Sequence, residues 1–220
     1  MSNFTAIFTD STLRPSQISH LPNTIVFPAA VMGDIFKLSD SFTRIILIDG
    51  VFLHHRPVWQ RELLYKLNTS TIIYGVSSMG ALRAVELRKY GMIGHGWIYE
   101  QYSTACISSD DEVALLYGVI KDKVVKVTYP MVEIRWMFKV EELSIKFPNF
   151  NIIGAIQSLK SIGFSRRELS NIRDILAKHH LESLVVDRLL SNLSNGLYDI
   201  KRLDAISLLS CLYPNFCLRT

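Results

Sequence analysis

The stretch Thr71–Tyr90, TIIYGVSSMGALRAVELRKY, places two adjacent serines, Ser77 and Ser78, between Gly75 and Gly80. A serine on a tight strand-to-helix turn can attack an acyl carbon, and the N–H groups that open the helix can hold an anion. The same hydroxyls can instead cap the helix, and both readings stand at this point. The spacing Gly-x-Ser-Ser-x-Gly puts the second glycine one residue later than in a G-x-S-x-G elbow, and the turn lacks a P-loop lysine and the dinucleotide glycines. Arg83 lies in the first turn of the expected helix. It can hold an anion at Ser77–Gly80 or pair with Glu86, three residues on and on the same face.

Other groups able to do acid–base work are spread along the chain. Asp49 tips the apolar run RIILI (Arg44–Ile48), where a carboxylate serves either function or a turn. His54 and His55 precede Pro57, and Glu62 with Gln60 sits on the helix that Pro57 introduces. No other ligands stand at metal spacing near the two histidines, so they are expected to be solvated or to touch substrate, and no metal is expected. Ser109 with Glu112 forms a capping box, and Asp110 and Asp111 suit a helix start. Three adjacent carboxylates exceed what capping requires, and could orient a water, hold Mg²⁺ through waters, or accept an amine.

The elements that must position these residues follow from pattern. Phe4–Phe8, Thr24–Phe27 and Arg44–Ile48 read as strands, as does Thr71–Tyr74 before the serine turn, with helical or loop segments between them. This alternation predicts an α/β fold, a parallel-sheet Rossmann-like core in which polar groups collect at the carboxyl ends of the strands. The helices are expected at Val58–Leu67, after Gly80, and from Pro130 to about Ile145. Gly91–Gly96 reads as a glycine-rich connection, and Val124–Val127 as a last short strand. Beyond Pro148 the periodicity is helical throughout, at Ile152–Ile162, Arg166–Lys178, Leu181–Leu193 and Tyr198–Leu212. The expected division is therefore an α/β core over 1–147 and a C-terminal helical extension over 148–220.

Composition narrows the class. Of 220 residues, 49% are apolar and 20% charged, which allows a sizeable core, and the net charge of +4 is too small to argue for nucleic acid. No apolar run is long enough to span a bilayer. Met1-Ser2-Asn3-Phe4 does not read as a secretory signal, and Cys106, Cys211 and Cys217 form no CxxC pair, so a cytoplasmic protein with reduced thiols is expected.

A series of ordered stretches resembles the TfuA-like family. These are PAAVMGD (Pro28–Asp34), IDGVF (Ile48–Phe52), PVWQREL (Pro57–Leu63), YGVSSMGALRAVEL (Tyr74–Leu87), YGMIGHGWIYEQY (Tyr90–Tyr102), DDEVA (Asp110–Ala114) and MVEIRW (Met131–Trp136). They cover roughly the first two thirds of the chain. The matching positions are Asp49, Gly50, Glu62, Gly75, Ser77, Ser78, Met79, Gly80, Arg83, Glu86, Gly91, Asp110, Asp111, Glu112 and Arg135. The chain departs from the family at Thr9-Asp10-Ser11, where a Gly-Pro-Ser turn is common, and at Gln60, where His is frequent. If that histidine were essential, His54 or His55 would have to substitute for it.

The resemblance implies a partner of YcaO proteins, ATP-dependent enzymes that activate backbone amides, in making peptide thioamides. The part it implies for this chain is release of sulfide from a thiocarboxylated ThiS-type sulfur-carrier protein. The precursor peptide, or an archaeal methyl-coenzyme M reductase, would be met through YcaO, and ATP would belong to YcaO, so no cofactor is expected here. Ser77, Ser78, Arg83, Glu62, His55, Asp110, Asp111 and Glu112 are the expected catalytic groups. Asp49, Gly75, Met79, Gly80 and Glu86 are the expected substrate-binding ones. A non-catalytic adaptor that docks on YcaO and recruits or gates the sulfur donor is the alternative. A generic serine esterase is a third reading, against which the elbow spacing counts.

Overall fold

The computed structural model describes residues 3–50, 56–120 and 123–219. The chain forms two compact units, Met1–Ser108 with Lys201–Thr220, and Ser109–Ile200. The boundary expected at 147/148 falls inside the second of these.

In the first unit, strands β1 (Phe4–Phe8), β2 (Thr24–Phe27), β3 (Phe42–Leu47), β4 (Ile72–Val76) and β5 (Ile93–His95) form one sheet in the order β2-β1-β3-β4-β5. Every neighbouring pair is parallel. This is a Rossmann-like α/β arrangement whose direction of winding reverses between β1 and β3, so a crevice opens at the carboxyl ends of those two strands. The four expected strands are all present, β2 at the sheet edge and the others inside; in β1 and β3 Ala6, Ile7, Ile45, Ile46 and Leu47 have no exposed surface.

Side chains alternate across the sheet. Ala6, Phe8, Ile45, Leu47 and Ile73 face one side with Leu63 of α2 (Gln60–Asn68) and Ala84 and Leu87 of α3 (Met79–Leu87). Ile7, Ile46 and Val76 face the other, beside Ile18 of α1 (Pro15–Ile18). A short helix, α3's successor α4 (Trp97–Ser103), follows β5 directly.

The second unit holds an antiparallel hairpin, β6 (Tyr117–Ile120) with β7 (Lys123–Lys126). The expected strand at Val124–Val127 is therefore β7, outside the parallel sheet. Five helices follow: α5 (Met131–Val140), α6 (Leu143–Lys146), α7 (Ile152–Ser161), α8 (Leu169–Lys178) and α9 (Ser183–Ser194). Met137, Leu159, Ile172, Leu176 and Leu189 form their shared core. The last helix, α10 (Ile200–Leu212), returns to the first unit from Lys201 onward. Its Ala205, Leu208 and Leu209 pack on Ile7, Ile46 and Val76, so the end of the chain supplies the second cover of the sheet.

Two glycines fix how α3 meets the sheet. A Cβ on Gly80 would overlap the Leu47 carbonyl oxygen, and one on Gly75 would overlap the Gly80 carbonyl oxygen. Only hydrogens at both positions allow the start of α3 to lie this close to β3 and β4.

Candidate functional site

The close approach of α3 to β4 forces the chain to reverse within two residues, Ser77 and Ser78. Ser77 takes the left-handed region with φ 70°, uncommon for a residue bearing a Cβ. Its side chain is fully buried, and its Oγ has no hydrogen-bond partner among the described residues. Ser78 occupies the N-cap of α3 with φ −82° and ψ −115° and makes no side-chain cap bond. Capping is therefore not what either hydroxyl does here. A left-handed serine between a strand and a helix shares the backbone turn of a nucleophile elbow, but its Oγ is buried where an elbow exposes it. The Gly80 N–H bonds the Ile48 carbonyl at 3.3 Å. Ser78 and Met79 supply the turn's remaining donors at the positive end of a nine-residue helix.

Both features at Ser77 are unfavourable locally. A left-handed non-glycine residue costs about 1–2 kcal/mol, and a buried hydroxyl without a partner about 1–3 kcal/mol. Strain of this kind gathers at functional positions.

Around this turn the expected residues divide by what they touch. Asp49, at the crevice between β1 and β3, accepts hydrogen bonds from the Asp10 N–H (3.1 Å), the Thr12 N–H (2.9 Å), Thr12 Oγ1 (2.6 Å) and Thr9 Oγ1 (3.3 Å). It ties the turn after β1 to the end of β3. Burial and then the Asp49 charge push the Asp10 carboxyl above its ordinary value. Met79 lies across Gly50, where a Cβ would come within 2.7 Å of its Cγ.

Glu62 is fully buried, and its carboxylate accepts from the Gly33 N–H (2.8 Å), the Trp59 N–H (3.1 Å) and the Ile35 N–H (3.1 Å). Arg83 donates through Nε to the Val58 carbonyl (2.9 Å) and through Nη1 to Glu86 (2.6 Å), and Gln60 donates to the same Glu86 oxygen (3.0 Å). These bonds fasten the start of α2 to α3; none of them runs to the serine turn. His55 lies outside the described residues.

Asp110, Asp111 and Glu112 form a 3-10 turn in the second unit. Asp110 is exposed. Asp111 accepts from Ser109 and Arg167, and although burial raises its carboxyl, those bonds and the charges of Arg167 and Lys160 hold it below its ordinary value. Glu112 is fully buried in a two-point pair with Arg135 (2.8 and 2.9 Å) and a third bond from Lys160 (2.9 Å). Ser109 caps the turn as expected by accepting from the Asp111 N–H, while Glu112, instead of closing a capping box, joins an ion-pair network that binds this turn to the helices of its own unit. Among the described residues no group of three His, Cys, Asp or Glu could hold a metal ion.

The short strand β5 was not legible in Gly91–Gly96, and with it His95 was missed. A cavity of about 430 Å³ opens at the end of β5, lined by Gly94, His95, Gly96, Trp97, Tyr99, Glu100, Asp204 and Ser207. His95 Nε2 lies 2.9 Å from Ser207 Oγ on α10. Burial lowers the imidazole's pKa against the raising effect of Glu100. Asp204 accepts from the Trp97 and Ile98 N–H groups at 2.8 Å each. Burial pushes its carboxyl up to about 6, against the lowering effect of those two bonds. A larger, mainly apolar cavity of about 650 Å³ lies beside Phe8, Phe27 and Phe42.

No helix among the described residues is long and apolar enough to cross a membrane. A comparison with curated proteins finds no match. The family model described as TfuA-like protein matches residues 49–168, which takes in the serine turn, β5 and the acidic 3-10 turn. That match supports a role in thioamidation-associated processes and, because it spans more than half of the 220 residues, the chain belongs to the TfuA-like family.

Proposed function

We propose that this chain hydrolyses the thiocarboxylated C-terminus of a ThiS-type sulfur-carrier protein and delivers sulfide to a YcaO partner, which thioamidates a peptide at the expense of ATP. The observation that carries this reading is Ser77, a strained, unpartnered hydroxyl at the carboxyl end of a central strand. In the proposed reaction Ser77 Oγ attacks the thiocarboxylate carbon. The Ser78 and Met79 N–H groups face the oxygen as it becomes an oxyanion, where one good donor is worth roughly 3 kcal/mol. The C–S bond breaks, hydrosulfide leaves, and water then clears the acyl-serine. Asp49, Glu62, Arg83 and Glu86 act by holding the turn's surroundings.

The adaptor reading keeps one specific observation in its favour. Ser77 is fully buried, so a small ester or a carrier tail meets no exposed nucleophile in the free protein. Docking on YcaO would have to expose it, or the chain serves only to recruit the donor. The two readings separate in one assay: sulfide released from a thiocarboxylated carrier, with and without YcaO and ATP, for the native chain and Ser77→Ala. The hydrolase reading expects release by the native chain and its loss in the variant. Equal release from both supports the adaptor.

A further inference from the structure

The cavity at the end of β5 lies within the first unit, and its charge is unbalanced. Its lining brings together two carboxylates, Asp204 and Glu100, with His95, Ser207, Trp97 and Tyr99, and includes no lysine or arginine. Arg202, two residues before Asp204 on α10, reaches instead to the Thr12 carbonyl (3.5 Å) and to Gln17 Oε1 (3.2 Å). Burial above all, and then the Glu100 charge, raise the Asp204 carboxyl, so two negative groups face each other here without a cation between them.

Asp204 is 5% exposed, and one of its oxygens accepts from the Trp97 N–H while the other accepts from the Ile98 N–H, at 2.8 Å each. A carboxylate offers about four acceptor positions, so both oxygens can accept again. Glu100 and Ser207 are exposed and mark the mouth of the cavity. Trp97 and Tyr99 supply aromatic wall, and Tyr99 is seated against Gly94, where a Cβ would overlap its ring. His95 is bonded to Ser207 at 2.9 Å, and burial keeps its imidazole neutral near pH 7, so it adds no positive charge. A buried carboxylate, a second carboxylate at the rim and aromatic rings between them are the groups that hold a guanidinium, which donates charge-assisted hydrogen bonds in its plane and stacks through its faces.

We infer that this cavity receives the arginine side chain of a partner polypeptide, with Asp204 and Glu100 as its anionic groups and Trp97 and Tyr99 as its stacking walls. The inference goes beyond the hydrolase reading and does not depend on it. The occupant follows from charge complementarity, since an anionic lining selects a cation, and from size. The volume of about 430 Å³ admits a whole side chain but not a folded segment. Binding is linked to protons. The Asp204 carboxyl titrates at about 6, so lowering the pH from 7 to 5 protonates it. His95, the imidazole facing the same cavity, gains positive charge toward the acid end of that interval. Both changes weaken the hold on a cation.

The test titrates the full chain with a blocked Gly-Arg-Gly tripeptide and follows the backbone amide NMR signals of Gly96 and Trp97. The same titration is run with citrulline, the neutral isostere, and with lysine in place of the arginine. At pH 7 the arginine peptide shifts both amides to saturation, the lysine peptide binds more weakly, and the citrulline peptide leaves both signals in place. Kd rises about tenfold or more in Asp204→Asn and in Glu100→Gln, and rises again for the native chain at pH 5. Each variant is checked by thermal melt, and Glu100→Gln, at an exposed position, guards against loss of the fold in Asp204→Asn. A native chain that does not saturate with the arginine peptide overturns the assignment, as do equal shifts with the citrulline peptide or an unchanged Kd in Glu100→Gln. A lysine peptide of equal affinity overturns the guanidinium assignment. Sulfide release is not read in this titration, so its failure leaves the hydrolase reading intact.

Discussion

Ser77 combines two locally costly features, and neither is visible in the letters of the sequence. The sign of a φ angle follows from how Gly75 and Gly80 let α3 press on the sheet, which depends on contacts with Leu47 far away in the chain. The pair Ser77-Ser78 was legible as a candidate, but the choice between them, and between capping and chemistry, was not. Ser77→Gly relieves the left-handed strain and removes the buried hydroxyl, against glycine's added unfolded-state entropy. It is expected to stabilise the fold by about 1 kcal/mol while abolishing sulfide release; a melt showing clear destabilisation contradicts the strain assignment. Asp204 gives a second test. Its folded pKa of about 6 lies above the ordinary carboxylate value, so the folded state holds the proton more tightly than the unfolded chain. Its contribution is fully present below about pH 4 and is lost as pH rises through 6. Asp204→Asn should therefore flatten the fall in stability between pH 4 and 6, read from urea midpoints at each pH; an unchanged slope counts against it.

Among the elements, the first four strands and most helices were legible because runs of branched apolar residues and helical periodicity mark them directly. What escaped was short or long-range. β5 has three residues, one of them Gly94, where any Cβ would overlap the Tyr99 ring, so its sequence carries a packing signature rather than a strand signature. The hairpin partner of β7 was missed as well. α10 reads as one more helix of the tail, yet it covers the sheet, and nothing local distinguishes a helix that packs on a sheet from one that packs on helices. The element on which the site most depends is α3 at its close contact with β3. Gly80→Ala forces a Cβ into the Leu47 carbonyl and must displace the helix start. Overpacking of this kind costs about 1–3 kcal/mol, and a drop of several degrees in melting temperature together with loss of sulfide release is expected. An unchanged melt would mean that the turn's geometry does not rest on this contact.

At the scale of the whole molecule, the carboxyl edge of one α/β unit gathers the Asp49-organised crevice, the Ser77 turn and the His95 cleft. The acidic residues Asp111 and Glu112, expected to be catalytic, lie in the other unit, where they pair with Arg135, Lys160 and Arg167. Membership of the TfuA-like family places this arrangement in thioamidation-associated processes. The measurement that tests the central claim most directly compares Ser77→Ala with Ser78→Ala in sulfide release from a thiocarboxylated ThiS-type carrier, in the presence of YcaO and ATP. The account predicts that Ser77→Ala abolishes release while Ser78→Ala, which keeps the turn and its N–H donors, retains most of it. Release that survives Ser77→Ala, or that depends on Ser78 instead, contradicts the account.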